Sequence, residues 1–329
     1  MTRNKMIMGM AVLLLAALAC NKEEAAVVRT EKEAAVRFPV TISIGVEGAT
    51  KVSGEGASED KVNKVYAYAF RNDGSLDAEG SAEAGSLSLD CTSAAKTFAV
   101  LVNGKGDKPV MKSLSVFRGY VSDLSDNIPA SSFVMSGQAS PSSVSPGAKI
   151  GISAKRLVGK VTVSEVKAAF TSSTYQKMLT EEKIKVTGMY LRNVATRARL
   201  DWSVAGDPAL AYKNGHESAN AAYDPLCYES LNTSLSAISP GAHTFYFYPN
   251  SDASNATRFI LEVTFDGKKT YYPIKIADRV KANTHYKITK LTITRAGSDS
   301  PSTDVSTGTY TCEVSVAPWE DGGSTTPTI

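Results

Sequence analysis

Phe38-Pro39-Val40-Thr41-Ile42-Ser43-Ile44-Gly45-Val46 is the stretch that decides the fold. Phe38, Val40, Ile42, Ile44 and Val46 fall on alternate positions, with Pro39, Thr41, Ser43 and Gly45 between them. A period of two puts the five apolar side chains on one face of a β-strand and makes that face a buried one. Pro39 has no amide hydrogen to give to a ladder, so it predicts an edge position or the beginning of a strand. Gly48 to Asp60 follows, rich in Gly, Ser and charge, and reads as an exposed loop.

Upstream of this strand the chain changes character twice. Asn21 to Lys32 is charged and alanine-rich without apolar periodicity, which predicts a tether. Before it, Arg3 and Lys5 form a positive region, Met6 to Ala19 is apolar and uncharged, and Ala17-Leu18-Ala19 leads into Cys20. That order predicts a secretory signal ending in a lipobox, with Cys20 as the acylated (palmitate-bearing) N-terminus. The apolar run, about fourteen residues, falls short of the roughly 20 that a spanning helix needs. An uncleaved anchor with an incidental cysteine is the alternative. The lipobox reading places the protein outside the cytoplasm.

Downstream, strand patterns recur. Lys64 to Phe70 puts Tyr66, Tyr68 and Phe70 on one face and Val65, Ala67 and Ala69 on the other, with Asn72-Asp73-Gly74 as a turn. Ser86 to Asp90, Thr97 to Val102, Lys149 to Ile152 and Arg156 to Val166 read as further strands. Leu114, Phe117, Val121 and Leu124 recur at three- and four-residue spacing and predict a short amphipathic helix. Tyr175 to Leu179 is a candidate helical turn. Ala205 to Asn232 lacks periodicity and reads as a long loop or a set of turns. Lys185 to Val194, His243 to Tyr248, Arg258 to Phe265, Thr270 to Ile276, Tyr286 to Thr294 and Tyr310 to Val316 are strands, with Asp266-Gly267 as a hairpin turn.

Many short strands, few helices and frequent turns predict an all-β sandwich architecture. About 310 residues follow the signal, which suits two such units better than one. The expected division is 1–20 signal, 21–36 tether, 37–157 first β-sandwich and 158–329 second, with Lys155-Arg156-Leu157 as the junction.

The formal charge of +3 falls to +1 once Arg3 and Lys5 leave with the signal, so electrostatics give no case for nucleic acid. Cys91, Cys227 and Cys312 are too few and too odd in number for a disulfide framework; one bridge or buried thiols both remain open. No cysteine has a second Cys or a His at metal-ligand spacing. The histidines are His216, His243 and His285, and no zinc-protease or nucleophile-elbow motif occurs. Gly104 to Lys108 lacks the ending of a phosphate loop and reads as a turn. His285 reads as an edge residue of its strand. The expectation is no catalytic residue, no cofactor, no metal and no enzyme. Tyr271-Tyr272 and Tyr246-Phe247-Tyr248 suggest either core packing or, through one ring of each group, a sugar-binding platform.

Taken in order, several segments resemble the fimbrillin family, the pilin subunits of Bacteroidales surface fimbriae. They are Lys61 to Tyr68, Ala99 to Asn103, Phe133 to Met135, Lys155 to Val161, Thr257 to Ile260, Lys269 to Ile274, Asn283 to Ile288, Leu291 to Ile293 and Cys312 to Trp319. The resemblance runs through most of the chain from Phe38, and it lies in the order of the segments. Lys22-Glu23-Glu24 is similar to a surface-export signal of such lipoproteins. The resemblance implies two transthyretin-like β-sandwich domains. It implies outer-membrane lipid held through Cys20 in a precursor, a processing protease that releases the first strand, and other fimbrial subunits bound by strand addition into the vacated groove. A fimbrium, with adhesion to a host or bacterial ligand, is the implied destination.

The sequence places these roles on its own residues. The removable strand is Phe38, Val40, Ile42, Ile44 and Val46. The candidate donor is Tyr310, Cys312, Val314 and Val316, which alternate in the same way. The family's release site is an arginine in the loop after the first strand. Here that loop offers Lys51, while Arg29 and Arg37 precede the strand. Glu320 to Ile329 carries Ile329 as its one sizeable apolar residue, so an anchor or accessory role stands beside the shaft role. A monomeric surface lipoprotein that binds glycan or host protein is the remaining alternative.

Overall fold

Period-two runs become strands along the whole chain in the computed structural model, which describes residues 36–47, 59–83, 85–203, 212–238, 243–306 and 308–319. The protein is all-β, and its few α-helices are short. The first set of strands is β1 (Arg37–Val46), β2 (Val65–Arg71), β3 (Leu76–Ala82), β4 (Ser86–Thr92), β5 (Ala95–Val102), β6 (Val121–Asp123), β7 (Met135–Ala139) and β8 (Lys149–Arg156), with helix α1 (Leu114–Gly119) before β6. The second set begins with β9 (Gly159–Val163), β10 (Val166–Ala168), β11 (Ile184–Arg192), β12 (Arg197–Arg199) and β13 (Tyr228–Ser234). It ends with β14 (His243–Phe247), β15 (Arg258–Phe265), β16 (Lys268–Lys275), β17 (Thr284–Ile293) and β18 (Tyr310–Pro318). Helices α2 (Ser173–Thr180) and α3 (Asp224–Cys227) lie between these strands.

The first set forms a seven-stranded sheet in the order β3-β2-β5-β7-β8-β1-β4. This sheet folds over until its two end strands meet. A Cβ on Gly80 of β3 would lie 2.7 Å from the tip of the Leu89 side chain of β4, so any larger residue there would have to push that side chain aside. Asp77 of β3 seals the seam by accepting from the Thr92 amide at 2.8 Å. Both faces of β2 are consequently buried. Tyr66, Tyr68 and Phe70 lie on the face covered by α1 and the segment before it, with the Tyr68 and Phe117 rings 5.8 Å apart and the Tyr68 hydroxyl bonded to Pro109.

The second set makes a sheet of order β10-β17-β9-β14, with β18 on the far side of β17, and another of order β13-β11-β15-β16. Phe245 of the former meets Phe259 of the latter, ring centroids 5.8 Å apart, inside the core. The β15–β16 hairpin turns at Asp266 and Gly267, with φ of 48° and 85°. Two successive positive φ values suit a turn whose twist matches that of the strands, and glycine takes the second without strain. Between the two sets, β6 pairs with β12, and the Ser122 and Tyr248 hydroxyls are 2.8 Å apart.

Three readings of the sequence are corrected. The amphipathic pattern through Leu124 yields a helix of only Leu114–Gly119, because Val121 leaves it to pair with Arg199 and lies 40% exposed. The non-periodic Ala205–Asn232 stretch contains α3 and the beginning of β13, whose pairing with β11 is set by tertiary contact rather than by alternation. β1 is not an edge strand, since β8 and β4 flank it. Pro39 is tolerated because its missing amide faces the β8 side two residues before that ladder starts at Thr41, whose own amide donates to Ala148.

Candidate functional site at the first strand

β1 runs antiparallel to β4 from the Arg37–Thr92 pair to Ser43–Ser86, and parallel to β8 from Thr41–Lys149 to Val46–Ala154. The alternation read in the sequence is the alternation of burial. Val40 and Ile42 are fully enclosed, and Phe38, Ile44 and Val46 are half-buried against the same core. Leu89 stands opposite Val40, Leu87 opposite Ile42 and Cys91 opposite Phe38 on β4, while Ile150 and Ile152 of β8 lie beside Ile42 and Ile44. These five side chains line the two walls of the position that β1 fills. Burial, reinforced by the Asp77 charge, pushes the Cys91 thiol up to about 12.

The segments flanking the loop after β1 are fixed by polar contacts. Glu47 donates its amide to Ala154 at 2.8 Å and pairs its carboxylate with Lys155 at 3.1 Å. On the far side of the loop, Glu59 is 7% exposed and accepts from three groups of the second set. Lys160 reaches its Oε2 at 2.7 Å, Trp319 Nε1 donates to the same oxygen at 3.1 Å, and the Tyr246 hydroxyl donates to Oε1 at 2.5 Å. Arg156, fully buried, pairs with Asp60 and donates to the Glu47 and Glu59 carbonyls. The Arg156 guanidinium and the Lys160 ammonium lie 4.7 and 4.5 Å from the Trp319 ring centroid, within cation–π range. Glu59 thus ties the end of that loop to the residue that follows β18. Sequence reading treated Trp319 only as a mark of resemblance and did not single out Glu59, Asp60, Arg156 or Lys160 as a group. No local spacing signals a cluster whose members are 101, 187 and 260 positions from Glu59.

The candidate donor strand occupies a place of its own. β18 pairs with β17 from Tyr310–Ile293 to Pro318–Thr284 and has no strand on its other side among the described residues. Tyr310, Cys312, Val314 and Val316 are half-buried on the core. All three described cysteines are free thiols, and burial raises Cys312 to about 12. Cys20 and Lys51 lie outside the described residues.

The remaining candidates resolve simply. His285 is not an edge residue: it is 7% exposed in β17, between Lys160 of β9 and Ala317 of β18. Burial, with the Lys160 and Lys287 charges, lowers its pKa to about 3, so its imidazole is neutral and bonds to Thr162 at 2.9 Å. Tyr246 is spent on Glu59 and Tyr272 is fully buried, which leaves Tyr271 as the half-exposed ring of the suggested sugar platform. Among the described residues no His/Cys/Asp/Glu group is of a kind to hold a metal, and no helix is long and apolar enough to cross a membrane.

Residues 39–189 match the family model described as major fimbrial subunit protein (FimA). Among solved structures, a "putative cell adhesion protein" from Bacteroides eggerthii DSM 20697 is similar with a TM-score of 0.66 and 17% identity, covering 87% of this chain and 97% of that one. A fimbrilin (FimA) from Porphyromonas gingivalis W83 gives 0.62 and 16%, covering 86% and 98%. The tip fimbrial protein Mfa3 of Porphyromonas gingivalis, with a C-terminal truncation, gives 0.53 and 12%, covering 86% and 100%. No curated protein matches the chain. At such identities the structural likeness is one of fold, and the family rests on the matched residues. Residues 39–189 match the major fimbrial subunit family, and along its described length the chain has the fimbrilin fold.

Proposed function

We propose that this fimbrial protein is a structural subunit exported as a lipoprotein acylated at Cys20, cut at Lys51, and assembled by adding a neighbour's strand where β1 had been. The single observation that carries this reading is the position of β1. It is the first strand of the fold, it is held on both sides, and its apolar face plugs the core at Val40 and Ile42. Loss of β1 would leave β4 and β8 with open backbone groups facing one another across an apolar slot. Both the unpaired groups and the bared Leu87, Leu89, Ile150 and Ile152 favour capture of another extended segment.

Energetics supports β18 of another copy as that segment. In its own sheet β18 is an edge strand, and Cys312, Val314 and Val316 stay half-exposed. In the slot they would be enclosed like Val40 and Ile42, at about 25 cal/mol per Å² of apolar surface newly removed from water. The move would also pair the second edge of the strand. The protein so assembled is a scaffold element of a surface fimbrium that serves adhesion, not a catalyst.

The test is Lys51→Ala in the producing cell. Polymer should be lost, and subunits should keep Cys20 as their first residue, whereas polymerised wild-type subunits should begin at Val52. Normal polymer from the variant would refute cutting at Lys51.

One observation favours a second reading, an anchor or accessory subunit. Trp319 is 1% exposed and bound to Glu59, which pins the C-terminal end of β18 in its own sheet. A subunit that receives a strand but does not give one would end a fimbria. Capping of growth when this protein is added to shaft subunits would support that role.

A further inference from the structure

We propose that the cleft beside the end of β8 is a binding site for a carboxylated sugar, such as a hexuronate. The cleft has a volume of about 600 Å³, in the range of small-molecule sites. Its walls come from four places in the chain: Lys155 at the end of β8, Trp202 in the turn after β12, Pro249 to Ser251 after β14, and Arg279 to Asn283 before β17.

Charge points to an anion. Three cations line the cleft, and no described carboxylate does. Lys281 has no ion-pair partner among the described residues. Arg279 adjoins Asp278, which Lys275 already holds at 2.5 Å. Lys155 is the one cation engaged, by Glu47 at 3.1 Å. Three cations against one paired acid leave spare positive charge that favours a carboxylate, and arginine can grip one through two parallel hydrogen bonds.

Trp202 points to a sugar rather than a bare anion. Its φ of 64° is a left-handed conformation that a bulky aromatic residue rarely takes. The surrounding turn enforces it: the Trp202 amide donates to Arg199 at 2.9 Å, and Asp201 accepts from the Ser203 amide at 3.0 Å. Strained backbone of this kind concentrates at functional positions. The indole Nε1–H is buried and has no acceptor among the described residues, an orphan donor of a sort that native proteins rarely leave unexplained. The Lys155 ammonium lies 5.7 Å from the ring centroid, so indole and cation act on one small volume. A pyranose bearing a carboxylate offers a flat C–H face for the ring, hydroxyl oxygens for the orphan donor, and a charge for the cations. Phosphate lacks the first, and neutral glucose lacks the last. The site lies outside the β1 slot and its proposal does not rest on strand exchange, although a cut that removed β1 with Glu47 would free Lys155.

Isothermal titration calorimetry on the uncut chain from residue 21 to 329 tests the proposal, with glucuronic acid as probe and glucose, inorganic phosphate and a peptide of residues 320–329 as comparisons. Glucuronate should bind saturably, with glucose and phosphate each weaker. Lys281→Ala, an exposed position that the fold does not need, should weaken glucuronate by about tenfold, as loss of a charge-assisted hydrogen bond does. Trp202→Phe should weaken glucose and glucuronate alike but leave phosphate unchanged. Glu47→Gln frees Lys155 and should tighten glucuronate. Phosphate binding as tightly as glucuronate would overturn the sugar assignment. Preferential binding of the acidic peptide would replace sugar with peptide, and no saturable glucuronate binding would refute the site.

Discussion

The two strands at the extremes of the fold, β1 and β18, share a pattern and differ in their surroundings. Each alternates apolar and polar residues. β1 is held between β4 and β8, with Val40 and Ile42 fully enclosed, whereas β18 has β17 on one side and leaves Cys312, Val314 and Val316 half-exposed. A period of two therefore says that one face is buried; the number of flanking strands decides how deeply. The two strands also differ in how they are fastened. β1 adds to its ladders and apolar face the largely exposed contacts of Arg37 and Glu47, while β18 ends at Trp319, whose indole joins a buried ion pair.

Removing that fastening should give the largest effect. Glu59→Leu leaves the Lys160 ammonium buried without its carboxylate and takes an acceptor from Tyr246 and Trp319. A loss of about 3–5 kcal/mol in urea unfolding is expected, with faster amide exchange at β18 than at β1. Equal loosening of both strands would show that Glu59 does not act on one end selectively.

Shaving the apolar faces compares the strands directly. Ile42→Ala in β1 should lower stability by about 2–5 kcal/mol, because it opens a cavity in a closed core. Val314→Ala in β18 should lower it by about 1 kcal/mol, since its side chain is only half removed from water. Similar losses would contradict the difference in depth between the two strands.

A smaller effect comes from acid. His285 pairs in register with Ala317 of β18 and Lys160 of β9, so its protonation strikes the β18 side. Its unfolded imidazole takes a proton near 6.5 and the folded one only near 3. Between these values the unfolded chain binds more protons, so stability falls as pH drops. From pH 7 to pH 5 the loss attributable to His285 should be about 1–2 kcal/mol, and His285→Gln should remove it. β1, which belongs to a different sheet from β17, should show no matching change in local exchange.

Much of the architecture was legible because its causes are local. The alternation from Phe38 to Val46 gave β1 and its buried face, and Asp266-Gly267 gave the β15–β16 turn, since both depend on neighbours one or two positions apart. Long-range effects were not legible. Helical spacing at Val121 yields to its pairing with Arg199, and the strand at Tyr228 forms because β11 is there to receive it. The interior place of β1 depends on β8, more than a hundred positions away, and Pro39 gave no sign of it. The Glu59–Lys160–Tyr246–Trp319 cluster joins residues that the sequence separates entirely. The pattern at Tyr246 points to its ring, which does pack on Phe133 and Trp319, but it carries no sign that the hydroxyl binds Glu59. The cleft at Trp202 also escaped notice, because an isolated tryptophan and dispersed lysines carry no pattern.

Cys91 offers the most direct test of strand exchange, since its buried thiol faces Phe38 across the β1–β4 ladder. Alkylation at this one position can be followed by mass spectrometry in three forms: uncut protein, monomer stripped of β1 after cutting at Lys51, and assembled polymer. Protection in the first, reaction in the second and renewed protection in the third is the predicted sequence. A Cys91 that reacts as readily in the polymer as in the stripped monomer would contradict the account, because no strand would then have refilled the place of β1.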